Sequence, residues 1–443
     1  MSLRRAATVL SLAAALAATL LAGACVRTPA AAPAPTPGPG AARPPLPPAE
    51  PGPAPTAQGP AWPAIVGEPE LAVMVQRGPS LHIRLLVAHR LPGGGELPAG
   101  GLDLAAAGDG VRVGGRSLTA PIDLEPVGAS GATFSADGAR FGGRLRLARR
   151  GNAVEVIERV PLERWLAGVL PAEMDAGWPV EALGAQAIVA RSYAVARWQA
   201  RPGESWHLLR GTADVAYDGF VAPSSAVAAA IAATRGRLLV HDGMAVLARF
   251  HAASGGRTED SDALWPGATL VDGRTPLERF SAAVEDPASV EGARALGWTR
   301  THQQWRAAFT TAELSESLAT WSRGAGRPRI GSVVAVAIAA RQPSDRVARV
   351  TVTHRLGGSE RRDEIDAREF RLAVGANRLR SLWWEKAVMA EARGGQLVVE
   401  GRGFGHGVGL SQVGAWWLAR DGRDAAEIVR RYFPGAALVR LWR

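Results

Sequence analysis

The run Leu170-Pro171-Ala172-Glu173-Met174 places one carboxylate among apolar side chains, with Trp165 and Trp178 close on either side. Such surroundings disfavour the charged form, so Glu173 could stay protonated and act as a general acid. The same position also suits a helix cap or a solvated side chain. Arg191 is the second anomaly. At 100° per residue it falls in the middle of an apolar stripe that includes Leu183, Ala187, Ile188, Ala194, Val195 and Trp198. A guanidinium there needs a carboxylate or carbonyl partner, or else is a positive group aimed into a site. His251 with Ser254, in Phe250-His251-Ala252-Ala253-Ser254-Gly255-Gly256, invites a hydrolase reading. No nucleophile-elbow pattern surrounds them, and a turn with a structural histidine fits the residues better. In the last of these segments Gly403, Gly405, Gly407 and Gly409 alternate around His406. Glycines so placed call for positive φ or close backbone approach. A nucleotide loop is excluded, because no Gly lies three residues after any Gly-x-Gly pair and no Lys-Ser/Thr follows.

These residues need elements to hold them. The pattern predicts a helix from Pro161 to Leu170, broken at Pro171, and a long second helix from Pro179 to Ala200. Helical signals recur at 223–234, 302–321, 410–420 and 424–432. Strands are expected at 237–241, 246–250, 333–339, 347–353 and 396–400. Upstream, from Ile65, short alternating runs such as Leu81-His82-Ile83-Arg84-Leu85 and Arg144-Leu145-Arg146-Leu147 are separated by glycine. The expected fold class is therefore α+β: a β-rich module over residues 65–140, then a mixed helix and strand catalytic domain over 141–443.

The chain has 443 residues, 47% hydrophobic and 21% charged, enough to bury a sizeable core and to exclude wholesale disorder. A single cysteine excludes disulfide scaffolds and cysteine-rich zinc modules. The net charge of +10 comes almost entirely from arginine spread along the chain, with Lys386 the only lysine, so no nucleic-acid partner is expected. Residues 1–25 read as a lipoprotein-type signal peptide. Arg4 and Arg5 precede an apolar stretch that ends in Ala22-Gly23-Ala24-Cys25, and Cys25 is the candidate lipidation site. Residues 26–64 form a Pro/Ala-rich linker able to span roughly 100 Å if extended at about 3.1 Å per residue. The protein is thus expected in the cell envelope, exported and lipid-anchored to a bacterial membrane.

Taken together, several of these segments resemble the stage II sporulation protein D family. They are Val160-Pro161-Leu162-Glu163 through Glu173-Met174, Glu181 to Ala187, Ala190-Arg191-Ser192-Tyr193-Ala194, Ala233-Thr234-Arg235-Gly236, His251 to Glu259, Gly405 to Ala415, and Tyr432-Phe433-Pro434-Gly435. The resemblance runs in order from about 140 to 440. It implies a peptidoglycan lytic transglycosylase that prefers glycan strands stripped of stem peptides, with Glu173 as the catalytic acid. Protonated Glu173 would donate to the glycosidic oxygen leaving a muramic acid ring. Its carboxylate would then take the proton of that sugar's 6-hydroxyl, closing a 1,6-anhydro ring without water. By the same resemblance Arg191, Tyr193, His251, Ser254, Gly255, His406, Ser411 and Gln412 contact substrate. No cofactor and no metal are implied: the segment from His207 to Gly219 lacks the cysteines with which some members hold zinc, and His207 is expected at the surface. Trp165, Trp178 or Trp206 could stack on sugar rings. Two alternatives stand beside the enzyme. One is a non-catalytic glycan-binding enhancer of a cell-wall amidase, and the other is a structural envelope lipoprotein.

Overall fold

The computed structural model describes residues 67–443 except 129–130, 212–213, 270–272, 274–278, 325 and 391–394. The signal peptide, Cys25 and the Pro/Ala-rich linker lie outside the described residues. The architecture is α+β: two sheets come first, antiparallel except for one short parallel edge strand, and a mixed helix and strand region follows.

The first sheet has seven strands in the order Leu208–Leu209, Glu70–Gly78, Ala153–Pro161, Arg144–Arg150, Ile122–Pro126, His89–Arg90, Glu96–Leu97. The second runs Ala139–Phe141, Phe134–Ala136, Ser80–Leu85, Gly100–Ala107, Gly110–Val113, Arg116–Thr119. The alternation seen in the sequence sorts the faces: Ile83 and Leu85 of one strand, Leu145 and Leu147 of another, are buried, while their neighbours reach outward. The outward arginines pair across strands, Arg146 with Asp123 at 2.7 Å and Arg144 with Glu125 at 2.6 Å. Strand Glu70–Gly78 pairs along its length with Ala153–Pro161, so the β-rich part continues directly into the first helix.

Among the described residues the α-helices are α1 (Leu162–Glu173), α2 (Val180–Gln199), α3 (Ser225–Thr234), α4 (Ser261–Leu264), α5 (Pro287–Ala295), α6 (Thr311–Gly324), α7 (Ala367–Val374), α8 (Gln412–Arg420) and α9 (Ala425–Tyr432). Helix α2 is buried around most of its circumference, as an Ala-rich helix without a polar face must be. Gly184 lets it approach its neighbours, since a Cβ there would come within 3.1 Å of Ala425 and 3.2 Å of Thr234. The inner sides of both sheets, α1, α2 and α9 share one continuous core. Helix α1 does not stop at Pro171. The ring is carried inside the last turn, and the Met174 N–H closes on the Leu170 carbonyl at 2.9 Å. Pro171 removes one hydrogen bond but leaves the following turn intact.

A second core forms from residues between Leu264 and Val408. Two three-stranded sheets build it: Trp305–Thr310, Gln396–Gly401 and Trp384–Ala390 in one, Ser332–Arg341, Val347–Leu356 and Ser359–Asp366 in the other. Helices α6 and α7 contribute Leu314, Leu318 and Phe370. The helix expected over 302–321 starts only at Thr311. Trp305, Ala307 and Phe309 alternate inward as a strand, and Thr310 with Glu313 exchanges side-chain and backbone hydrogen bonds where the helix begins. The strand expected over 246–250 is likewise shorter, reduced to Met244–Ala245 and Phe250–His251.

Candidate functional site

Glu173 is the last residue of α1 and is half-buried. Its Oε1 accepts a hydrogen bond from the Ala216 backbone N–H at 2.6 Å, and its carbonyl accepts one from Gln412 Nε2 at 3.2 Å. Both contacts come from far along the chain, so the carboxylate is oriented by a loop and by the first residue of α8.

That loop is anchored on both sides of Ala216. Upstream, Asp214 accepts from the Tyr193 hydroxyl at 2.8 Å and from Leu209 N at 2.8 Å, and Arg197 lies 3.2 Å away. Downstream, the Tyr217 hydroxyl donates to Glu158 Oε2 at 2.8 Å, and Gly142 and Gly143 donate their N–H groups to the other oxygen of Glu158. Burial pushes the Glu158 carboxyl up, and it pushes the Tyr193 and Tyr217 hydroxyls up as well. Tyr193 therefore acts as a neutral donor that fixes Asp214.

Arg191 is fully buried and forms a two-point pair with Glu163, Nε–Oε1 3.1 Å and Nη2–Oε2 2.8 Å, while its Nη1 donates to the Arg237 carbonyl at 3.2 Å. Glu163 also accepts from Gly236 N at 3.1 Å and Trp442 Nε1 at 2.9 Å. The pair thus ties α1 and α2 to strand Arg237–His241 and to Trp442. Burial lowers the Arg191 pKa against the opposing pull of Glu163.

The His251 segment and the glycine run lie side by side. Strand Phe250–His251 pairs in parallel with Leu410–Ser411, and Ala253 exchanges backbone hydrogen bonds with Phe404 at 3.0 and 2.8 Å. All four alternate glycines have positive φ. A Cβ at Gly405 would sit 2.7 Å from His251 Cβ, one at Gly409 2.2 Å from the Arg249 carbonyl, and one at Gly255 2.9 Å from Gly403 N. Close approach is thus the reason for the run. His251 Nδ1 donates to the Val408 carbonyl at 3.1 Å, which leaves Nε2 a bare acceptor in a buried position. Burial brings its pKa down to about 3. His406 accepts from Val408 N at 3.0 Å and packs edge-on against Trp265, centroid to centroid 5.5 Å. Burial, then the neighbouring His251, holds it well below the usual imidazole range. Ser254 Oγ donates to buried Asp286 at 2.8 Å, and Asp286 also accepts from Tyr432 at 2.9 Å and caps α5. Ser411 caps α8 through Gly414 N at 3.2 Å.

The sequence-expected residues therefore fall into two groups. Glu173, Gln412 and, through Asp214, Tyr193 converge on one loop. Arg191, Ser254 and Ser411 direct their polar atoms into the protein, and Gly255 and the glycine run set backbone spacing. Trp165 is fully buried, while Trp178 is half-buried and lies 6.1 Å from Trp298. His207 is not a simple surface residue. It is half-buried, its Nδ1 accepts from Ala72 N at 3.0 Å, and burial lowers its pKa to about 4. Among the described residues no group of three or more His, Cys, Asp or Glu side chains gathers where it could hold a metal ion. Sequence reasoning passed over Glu163, Asp214, Glu158 and Asp286. The first lies within a segment already singled out, but the carboxylates that meet Tyr217 and Ser254 are distant in the chain and carry no local signal.

Comparison with known proteins finds relatives of this chain. The family model described as Stage II sporulation protein matches residues 150–241, the stretch containing Glu163, Glu173, Arg191, Tyr193 and Asp214. Stage II sporulation protein D of Bacillus subtilis (strain 168) is 25% identical over 303 residues, covering 65% of this chain and 76% of that protein. The chain is related to the stage II sporulation protein D family. The Bacillus amyloliquefaciens protein of that name is 26% identical over 294 residues, covering 63% of this chain and 74% of its own length. The amidase enhancer of Bacillus subtilis (strain 168) is 24% identical over 305 residues, covering 62% of this chain and 40% of that protein. A second family model, described only as a domain of unknown function, matches residues 293–409, which hold most of the second core. Among the described residues no helix is long and apolar enough to cross a membrane.

Proposed function

We propose that this chain is an exported cell-envelope protein that binds peptidoglycan glycan strands at Glu173 and assists a cell-wall amidase. One observation carries the reading. Glu173 is held half-exposed by Ala216 N, whereas Arg191, Ser254 and Ser411 are engaged inside the protein. Half-buried Trp178, five residues further along the chain, adds an aromatic ring of the kind that packs on sugar faces. The relation to an amidase enhancer as well as to stage II sporulation protein D favours a partner amidase. The signal peptide and Cys25 would place the protein at a membrane with the linker reaching toward the wall.

A second reading keeps the same site and adds turnover. Glu173, acting first as acid and then as base, would release glycan fragments with 1,6-anhydromuramic ends. The fixed orientation of its carboxylate favours it, because a proton donor must be aimed at one oxygen. One experiment separates the two. The full-length chain in detergent is incubated with stripped glycan strands, and with whole peptidoglycan plus a cell-wall amidase. Faster release of stem peptides without anhydro ends, by mass spectrometry, supports the enhancer. Anhydro ends formed by the parent and lost in Glu173→Gln support the transglycosylase. Neither effect, together with no retention of glycan, contradicts both.

A further inference from the structure

The second sheet carries a cleft of its own, about 450 Å³, within the size range of small-ligand sites. It lies outside both stretches matched by family models. Ser80 and His82 reach it from one strand, Asp103 and Ala105 from the next, and Arg112 from a third. The register sets them side by side: His82 faces Asp103, Ser80 faces Ala105, and Ala105 faces Arg112. They alternate with buried Ile83, Leu102, Leu104, Val111 and Val113, so they share the outer face. Space opens among them because neighbouring positions carry little side chain. Ala105 ends at its Cβ, and strand Gly110–Val113 gives way to Gly114 and Gly115, both at positive φ. Gly101 makes room for the imidazole, since a Cβ there would come within 3.0 Å of His82 Cε1.

The charges on this face are arranged in an unusual way. Asp103 and Arg112 are diagonal neighbours on adjacent strands, a relation in which positions lie about 7–8 Å apart and long side chains of opposite charge can meet. These two do not meet. His82 Nδ1 donates to Asp103 Oδ1 at 2.8 Å and keeps the carboxylate on the far side. Arg112 is left with no ion pair among the described residues. One cleft therefore presents a carboxylate at one side and a guanidinium at the other, both exposed to solvent, with half-buried Leu81 and Ala105 supplying apolar surface.

We propose that this cleft binds an α-amino acid end group, its ammonium on Asp103 and its carboxylate on Arg112, with the side chain over Leu81 and Ala105. A simple anion would meet Asp103 unfavourably, and a simple cation would meet Arg112. A group carrying both charges on one carbon satisfies both and brings no net charge. The guanidinium fork matches a carboxylate in two-point fashion, and an ammonium gives Asp103 a charge-assisted donor. Such an end group occurs in a free amino acid and on the side chain of a diamino-dicarboxylic residue within a peptide. The proposal is independent of what Glu173 binds.

The test is calorimetric titration of the full-length chain in detergent with four probes: leucine, N-acetyl-leucine, leucine amide, and a tripeptide blocked at both ends with diaminopimelate at its centre. The parent is expected to bind leucine or the tripeptide roughly tenfold or more tightly than either leucine derivative, since each derivative lacks one of the two charges. Tighter binding of the tripeptide makes the peptide side chain the source of the ligand, and tighter binding of leucine makes it the free amino acid. Asp103→Asn and Arg112→Met should each weaken binding by a similar factor, and Arg112→Lys should restore part of it. Arg84→Met, which removes a charge on the same face but outside the cleft, should change nothing. These positions are exposed, so the unfolding midpoints should stay at the parent's value. Equal binding of leucine and its derivatives, binding that survives in both Asp103→Asn and Arg112→Met, or no binding of leucine and tripeptide alike overturns the proposal.

Discussion

Two arginines in neighbouring parts of the same fold have opposite surroundings. At the junction of α1 and α2, Arg191 is enclosed by Glu163 and the Arg237 carbonyl, and Glu163 is satisfied in turn by Gly236 and Trp442. At the edge of strand Phe250–His251, Arg249 has a tryptophan face and no matching carboxylate among the described residues. Burial alone does not mark a functional cation. The inventory of partners separates the two: Arg191 is neutralised by Glu163, and Arg249 rests on Trp265 with no carboxylate at ion-pair distance among the described residues.

The largest expected effect comes from breaking the closed pair. Glu163→Ala leaves Arg191 buried without its carboxylate and should cost about 3–5 kcal/mol in denaturant unfolding. A loss under about 1 kcal/mol would show that the pair is not what holds α1 to α2. Next is Tyr217→Phe, which strips buried Glu158 of one donor and frees one end of the loop that orients Glu173. It should cost about 1–3 kcal/mol. The smallest effect is predicted where the charge is open. Arg249→Met keeps the packing on Trp265 and removes an unpaired charge, so its unfolding midpoint should equal or exceed the parent's. A loss comparable to that of Glu163→Ala would erase the distinction between the two arginines.

His251 sharpens the contrast through pH. Its folded pKa of about 3 lies below the usual imidazole value, so between about pH 6.5 and 3 the unfolded chain binds a proton that the folded chain does not. Its contribution therefore erodes as pH falls through that window. Unfolding curves at pH 7 and pH 4.5 should show less loss for His251→Gln than for the parent; an identical loss would place the acid sensitivity elsewhere.

Much of this was legible in the residues. Alternation in Leu81–Leu85 and Arg144–Leu147 marked strands, and the apolar stripe after Pro179 marked a helix, which the structure buries around most of its circumference. The alternate glycines, expected to mark positive φ or close backbone approach, show both. The sequence reading placed Glu173 outside the first helix, because a proline near a C-terminus usually ends one. It took 302–321 as one helix, because Trp305, Ala307 and Phe309 alternate over only six residues before a true helix begins. The second core went unseen as a separate packing unit, since nothing local tells which of two cores an apolar residue joins. The partner of Arg191 was not legible, because Glu163 lies a full helix away in the chain.

The most direct measurement is glycan retention by Glu173→Gln, made together with its unfolding midpoint. Gln keeps an oxygen to accept from Ala216 N, so the midpoint should match the parent's. Co-sedimentation with stripped glycan strands should fall by roughly tenfold or more, the weight of a charged acceptor. An unchanged midpoint with undiminished retention would contradict the claim that the frame around Glu173 exists to present it to the glycan.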